Sequence, residues 1–208
     1  LAFNSSGTKM YIVDRTDQEV NQYSLSTAYD VSTASYATRI SVSAQSVNTT
    51  SLSDVDFNND GTKMYLIDTI EVDEYALSTA FDVSTATYTD KYDFSEENVF
   101  GMDFNSSGSK LFLAVNGASI NEHSLSTAFD VSTGSSVYNL SVSSLTVNAE
   151  GVVFSPDGLV MFFIDAGDVF EYSLSSSVPE FSSYIYVAMI ILMFGMVYER
   201  RKLLFSET

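Results

Sequence analysis

The side chains able to do chemistry are few in this 208-residue chain, and their types narrow what that chemistry could be. There is no cysteine, so disulfides, thiolate metal sites and cysteine nucleophiles are excluded. The single histidine, His123, stands where Tyr23, Tyr75 and Tyr172 stand in similar local contexts. That reads as an aromatic packing position rather than a base or a ligand. One histidine without cysteine makes a poor zinc site. Residue counts leave a Ser-His-Asp arrangement open, but the Gly-x-Ser-x-Gly nucleophile turn is absent.

Carboxylates are the remaining candidates. Asp56-Phe57-Asn58-Asn59-Asp60-Gly61 matches the start of a helix-loop-helix calcium loop. Its twelfth position is Ile67, where a bidentate Glu is required, so Asp60-Gly61 reads as a turn. Asp14, Asp68 and Asp165 recur at one place in successive units, but Val115 breaks the series, which suits a structural role. No catalytic, cofactor-binding or metal-binding residue is assigned, and calcium held by other loop carboxylates stays open. Residues 1–178 carry 24 acidic and 6 basic side chains, a net charge of −18. Such a surface will not bind nucleic acid through its phosphates. It suits solubility in salty water or attraction of cations.

These side chains are positioned by a repeat. Leu-Ser-Thr-Ala-Phe-Asp-Val-Ser-Thr occupies residues 77–85 and 125–133 without change, and residues 25–33 with Tyr29 in place of Phe. A second landmark, Phe-Asn-x-x-Gly-x-Lys-Met-Tyr, begins at Phe3 and returns at Phe57, Phe104 and, loosely, Phe154. The period is 47 to 54 residues, which fits paired helices or propeller blades. Short apolar runs, period-two alternation and Asp-Gly turn signals decide for strands. No apolar stripe before residue 180 is long enough for a ten-residue helix. Each unit supplies four strand candidates except the last, which supplies three.

The spacing predicts an all-β fold: a partial β-propeller of about four blades of four-stranded antiparallel sheet. Blades fall near residues 1–53, 54–100, 101–150 and 151–174. The marginal strand count and the opening inside a strand suit an N-terminally truncated ring. Gly7, Gly61, Gly108 and Gly158 are expected in the hairpin between the first two strands, where a side chain would clash. Phe3, Phe57, Phe104 and Phe154 are expected to pack between blades. Asp30, Asp82 and Asp130 are expected to hold the loop before the outer strand through nearby amides.

The Phe-Ser-Pro-Asp-Gly of residues 154–158 and the nine-residue phrase resemble WD40-like and NHL-like propeller repeats of microbial surface proteins. The resemblance covers nearly all of residues 1–175. Such repeats often carry Trp at the aromatic site; this chain has none, and Tyr29, Phe81 and Phe129 fill it.

The C-terminus is a different kind of sequence. Residues 175–183 read as a linker, residues 184–198 as an uncharged apolar span, and residues 199–208 as a basic tail. Counted from Phe181 the span reaches eighteen residues, about 27 Å as a helix at ~1.5 Å per residue, just enough for a bilayer core. Arg200-Arg201-Lys202 predicts a cytoplasmic C-terminus and an external propeller. Pro179, Glu180 and Phe181, followed by this span and basic cluster, resemble the PEF-type sorting tails of prokaryotic, especially archaeal, surface proteins. That resemblance implies a sortase-like processing enzyme as a partner; Ser182 stands where one common variant has Gly. Asn4, Asn48, Asn105 and Asn139 begin Asn-x-Ser/Thr glycosylation triplets.

The expectation is a cell-surface-anchored propeller acting in binding, adhesion or envelope structure, with a protein or glycan ligand and the membrane as partners. The alternative is an extracytoplasmic propeller enzyme, lactonase- or hydrolase-like, with a metal in the central channel.

Overall fold

The structure, a computed structural model, describes residues 1–44, 52–94, 98–146, 148–165 and 167–174. Asn48, the sorting residues Pro179, Glu180 and Phe181, the apolar span and the basic tail lie outside the described residues. Among the described residues no helix is long and apolar enough to cross a membrane.

Four antiparallel sheets follow one another along the chain. The first blade is β1 (Ala2–Phe3), β2 (Lys9–Asp14), β3 (Glu19–Leu25) and β4 (Ala34–Ser41). The second is β5 (Asp54–Phe57), β6 (Lys63–Ile67), β7 (Glu71–Leu77) and β8 (Ala86–Asp93). The third is β9 (Val99–Phe104), β10 (Lys110–Val115), β11 (Ser119–Leu125) and β12 (Gly134–Ser141). The fourth shows three strands, β13 (Gly151–Phe154), β14 (Val160–Asp165) and β15 (Asp168–Ser173). In each sheet the strands pair in chain order. The result is the four-blade propeller-like arrangement that the repeat predicts.

Successive first strands lie against one another, β1 on β5, β5 on β9 and β9 on β13, which puts them innermost. Among the described residues no comparably packed pair joins β13, β14 or β15 to the first blade. Three apolar layers fill the gaps. Tyr11, Val20, Val55, Met64 and Tyr75 lie between blades one and two. Tyr65, Val72, Met102, Leu111 and Leu113 lie between two and three, and Phe112, Ile120, Val152, Met161 and Phe163 between three and four. Both faces of the middle blades are covered, which is why Lys63–Ile67 reads as a run rather than an alternation.

The landmark Phe residues pack across blades as expected. Phe57 meets Tyr11 at 4.4 Å, Phe104 meets Tyr65 at 4.5 Å, and Phe154 meets Phe112 at 4.3 Å between ring centroids. Such tilted pairs add about 0.5–1.5 kcal/mol each beyond the area they bury.

Two local features differ from the sequence expectation. β9 begins at Val99, two residues before the expected blade boundary, because Val99 is fully buried in the layer between blades two and three. The nine-residue phrase ends in a three-residue 3-10 turn, Val31–Thr33, Val83–Thr85 and Val131–Thr133. Periodicity is silent about so short an element. A bulge then recurs at one place in each of these blades, between Gln22 and Tyr23, Glu74 and Tyr75, and Glu122 and His123. In blades one and two the bulge bends the outer pair beside the residue, Gln22 or Glu74, that reaches the next blade.

Candidate functional site

The repeated phrase forms a clasp between blades. At Phe81 the backbone turns left-handed, with φ 58°. The ring folds back over Gly61, which itself has φ 71°, and a Cβ on Gly61 would land inside that ring. Gly7 lies beneath Tyr29 and Gly108 beneath Phe129 in the same way, while Gly158 keeps the turn, with φ 67°. With its ring pinned, Phe81 turns its carbonyl toward blade one. Lys9 Nζ donates to it at 2.8 Å and the Tyr11 hydroxyl at 2.7 Å. Burial, with Asp82 nearby, pushes the Tyr11 phenol above its ordinary pKa, so the hydroxyl stays a donor. Two residues on, the Val83 amide donates to Gln22 Oε1 at 3.0 Å.

The next interface repeats this. Lys63 Nζ and the Tyr65 hydroxyl each reach the Phe129 carbonyl at 2.7 Å, and the Val131 amide donates to Glu74 Oε2 at 3.1 Å. Lys63 also pairs with Glu74 at 2.6 Å. In blade three the same positions hold Lys110, Phe112 and Glu122, with a Lys110–Glu122 ion pair at 2.8 Å. Asp30 and Asp82 cap their turns by accepting from the Ser32 and Ser84 amides, as the sequence predicts. Asp130 accepts from the Ser132 hydroxyl instead. The sequence marks the phrase but not its partners, because Lys9, Tyr11 and Gln22 stand 61 to 72 residues away on another blade. The only available sign was their recurrence as Lys63, Tyr65 and Glu74.

A second group of polar side chains sits on the inner strands. Asp54 Oδ2 accepts from the Met102 amide at 3.2 Å, and Asp103 Oδ2 from the Phe154 amide at 2.6 Å. Each carboxylate therefore ties its blade to the next. Asp56, at the position of Asp103, accepts from its own strand at Phe57. Burial raises all three carboxyls above the ordinary carboxylate range. Asp103 reaches about 7 against two amide donors, and the nearby Asp103 charge pushes Asp56 further up. Sequence reading weighed Asp56 only as the start of an accidental calcium-loop match and did not single out Asp54 or Asp103; the signal was Asp56 and Asp103, each placed just before a landmark Phe.

A third group lies in the layer between blades one and two. Glu71, Asp73 and Tyr75 alternate along β7 and so share one face. All three are almost fully buried, and among the described residues Glu71 Oε1, Asp73 Oδ1 and the Tyr75 hydroxyl have no hydrogen-bond partner. Lys91 pairs with Glu71 at 2.6 Å and with Asp93 at 2.9 Å. Burial raises Asp73 to about 7, helped by the charges of Glu71 and Asp68. Asp14 and Asp68 cap the hairpins after their strands, accepting from the Thr16 and Asp17 amides and from the Ile70 and Glu71 amides.

The other predicted positions have structural partners. His123 faces Leu111 across the ladder as Tyr75 faces Met64, and its Nδ1 lies 3.1 Å from the Tyr92 hydroxyl. Asn4 accepts from the Lys9 amide and donates to Ser6 and Thr8; Asn105 accepts from the Lys110 amide and donates to Ser109. The Asn139 amide nitrogen donates to Asn121. A glycan on Asn4 would displace one of the two hydrogen bonds that its amide nitrogen donates. Among the described residues no three His, Cys, Asp or Glu side chains converge as a metal-binding group.

No protein-family model matches the chain, and no curated protein matches it. Solved structures do. One is a protein named as a "putative 6-phosphogluconolactonase" from Bacteroides uniformis, with a TM-score of 0.56 and 12% identity. The match covers 83% of this chain and 49% of that one, so this chain spans about half its length. At that identity the likeness shows the fold, a β-propeller, and nothing about activity.

Proposed function

We propose that the chain is the repeat array of a non-catalytic, surface-anchored propeller whose loops bind a protein or glycan. In this reading residues 184–198 hold it in the membrane, and a sortase-like enzyme acts at Pro179, Glu180 and Phe181. The observation that carries the non-catalytic part is how the cations are used. Outside the tail the chain has six Lys and Arg residues. Lys9 holds the Phe81 carbonyl, Arg15 the Leu52 carbonyl, Arg39 pairs with Glu19, Lys63 with Glu74, Lys91 with Glu71 and Lys110 with Glu122. All six are bound within the array. An anionic sugar lactone would need cations facing it, and would meet a strongly negative surface instead.

The lactonase-like fold and the inner-strand carboxylates support a second reading. A carboxyl with a pKa near 7, such as Asp103, is matched to proton transfer at neutral pH. In that reading Asp103 takes a proton from water as its oxygen bonds to the carbonyl carbon of a neutral lactone, and returns it to the ring oxygen as the ring C–O bond breaks, while Asp56 orients the water. Lactone hydrolysis by the purified protein separates the two. Turnover lost in Asp103→Asn and Asp56→Asn, with fold retained, would establish the hydrolase. Absence of turnover across neutral and phosphorylated lactones supports the binding module. Antibody labelling of intact cells tests the address: labelling that survives deletion of residues 184–202 would count against the anchor.

A further inference from the structure

Among the described residues the clasp has three copies, and one of them has no blade in front of it. In blades two and three, Val83 and Val131 are fully buried, and Phe81 and Phe129 are half-covered by the blade before. In blade one the same positions are open: Tyr29 is 60% exposed, Val31 59% and Tyr36 56%. The local fold there is nevertheless complete. Tyr29 has φ 60°, its amide donates to the Gly7 carbonyl, and Asp30 caps Ser32. An apolar sheet face with the clasp already formed is costly to leave in water unless something covers it.

We propose that this face of blade one is a docking surface for another propeller blade of defined chemistry. The occupant presents a Lys and a Tyr, two residues apart on its second strand, to the Tyr29 carbonyl. It presents a Gln or Glu on its third strand to the Val31 amide. The two occupied clasps are the template: Lys9, Tyr11 and Gln22 at one, Lys63, Tyr65 and Glu74 at the other. Charge agrees, since the face carries Asp30 beside a carbonyl that calls for a cation. The fourth blade of a second copy fits poorly. Glu171 stands in the acceptor position, paired with Phe162 as Glu74 is with Tyr65. However, Val160 and Phe162 stand where the Lys and Tyr are needed.

That mismatch supplies the test. The full chain in detergent solution is compared with Val160→Lys/Phe162→Tyr, which gives the fourth blade the missing donors. The readout is hydrogen exchange at the Val31 amide over a range of protein concentrations, with the Val83 amide as internal standard. The double variant is expected to protect Val31 at least about tenfold with rising concentration, and Val31→Asp added to it to abolish self-association. The unmodified chain is expected to leave Val31 freely exchanging. Val31 exchange in the double variant that does not slow with concentration, while Val83 stays protected, would overturn the proposal. Equal protection in the unmodified chain would overturn the assigned chemistry and make a second copy the occupant. If the double variant loses Val83 protection, an added copy of residues 1–53 at the amino end repeats the test. Val31 must then become protected, and its failure to do so refutes the docking face.

Discussion

The strongest prediction compares one substitution at three copies of one phrase. Val31, Val83 and Val131 occupy the same place in nearly identical sequence, and each begins a 3-10 turn. Val83 packs among Tyr11, Val20 and Leu77, and Val131 among Tyr65, Leu111 and Leu125. Val31 faces solvent. Val→Ala removes two methyl groups, worth about 0.8 kcal/mol each when buried. The rigid layer between blades closes poorly over the gap, which adds a cavity cost. The expected loss is about 1.5–2.5 kcal/mol at Val83 and at Val131, and under about 0.5 kcal/mol at Val31. Urea unfolding followed by circular dichroism measures it, read as a midpoint shift at constant slope. Arrays sometimes unfold in parts, so amide exchange near each site provides a local check. Costs under about 0.5 kcal/mol at all three positions would refute the clasp, since local turn propensity alone would then explain the repeat. A full loss at Val31, matching that at Val83, would show the leading face already covered.

Three further outcomes follow from the same contacts. Gln22→Leu strands the buried Val83 amide, so a loss of about 1–3 kcal/mol is expected, whereas Tyr11→Phe, which leaves Lys9 on the Phe81 carbonyl, should cost less, about 0.5–1.5 kcal/mol; denaturant midpoints decide the order. Gly61→Ala forces a side chain into the Phe81 ring at positive φ and should destabilise by more than about 2 kcal/mol, while Gly117→Ala, with nothing near its Cβ, should pay only the backbone cost of its positive φ. Asp73 holds its proton to about pH 7 when folded but loses it near pH 4 when unfolded, so its contribution falls as pH rises from about 4 through 7. Asp73→Asn removes that fall: the variant should gain on wild type between pH 5 and pH 8, by at most about 4 kcal/mol. A stability difference that stays flat over that range would show that Asp73 titrates normally.

Much of the fold was legible because the repeat repeats for a physical reason. Each copy must present one hairpin glycine, one interblade Phe and one capped turn, so near-identity of sequence reports near-identity of environment. That Phe57 and Phe104 pack between blades, and that His123 takes an aromatic position, followed from alignment of the units alone; their partners Tyr11 and Tyr65 did not. The candidate site was much less legible. Asp56 and Asp103 are ordinary strand residues by pattern, and only the approach of neighbouring inner strands gives them their raised pKa. Asp73 stands where blades one and three have Asn21 and Asn121, a one-atom change that matters only because the position is buried. Asn4 and Asn105 read as glycosylation triplets, and their side-chain oxygens also pin the hairpin, a role no triplet expresses.

The sequence by itself determined the unit, its period, its strands, its turns and the scarcity of catalytic groups. These are local matters, set by side-chain alternation, by glycine and Asx turn chemistry, and by composition. The tertiary structure alone decided what the nine-residue phrase is for. Its working parts are a carbonyl and an amide, which every residue has, and their partners stand on another blade about 60 to 70 residues away. Backbone groups leave no trace in a sequence; only packing one blade on the next turns the Phe81 carbonyl toward Lys9.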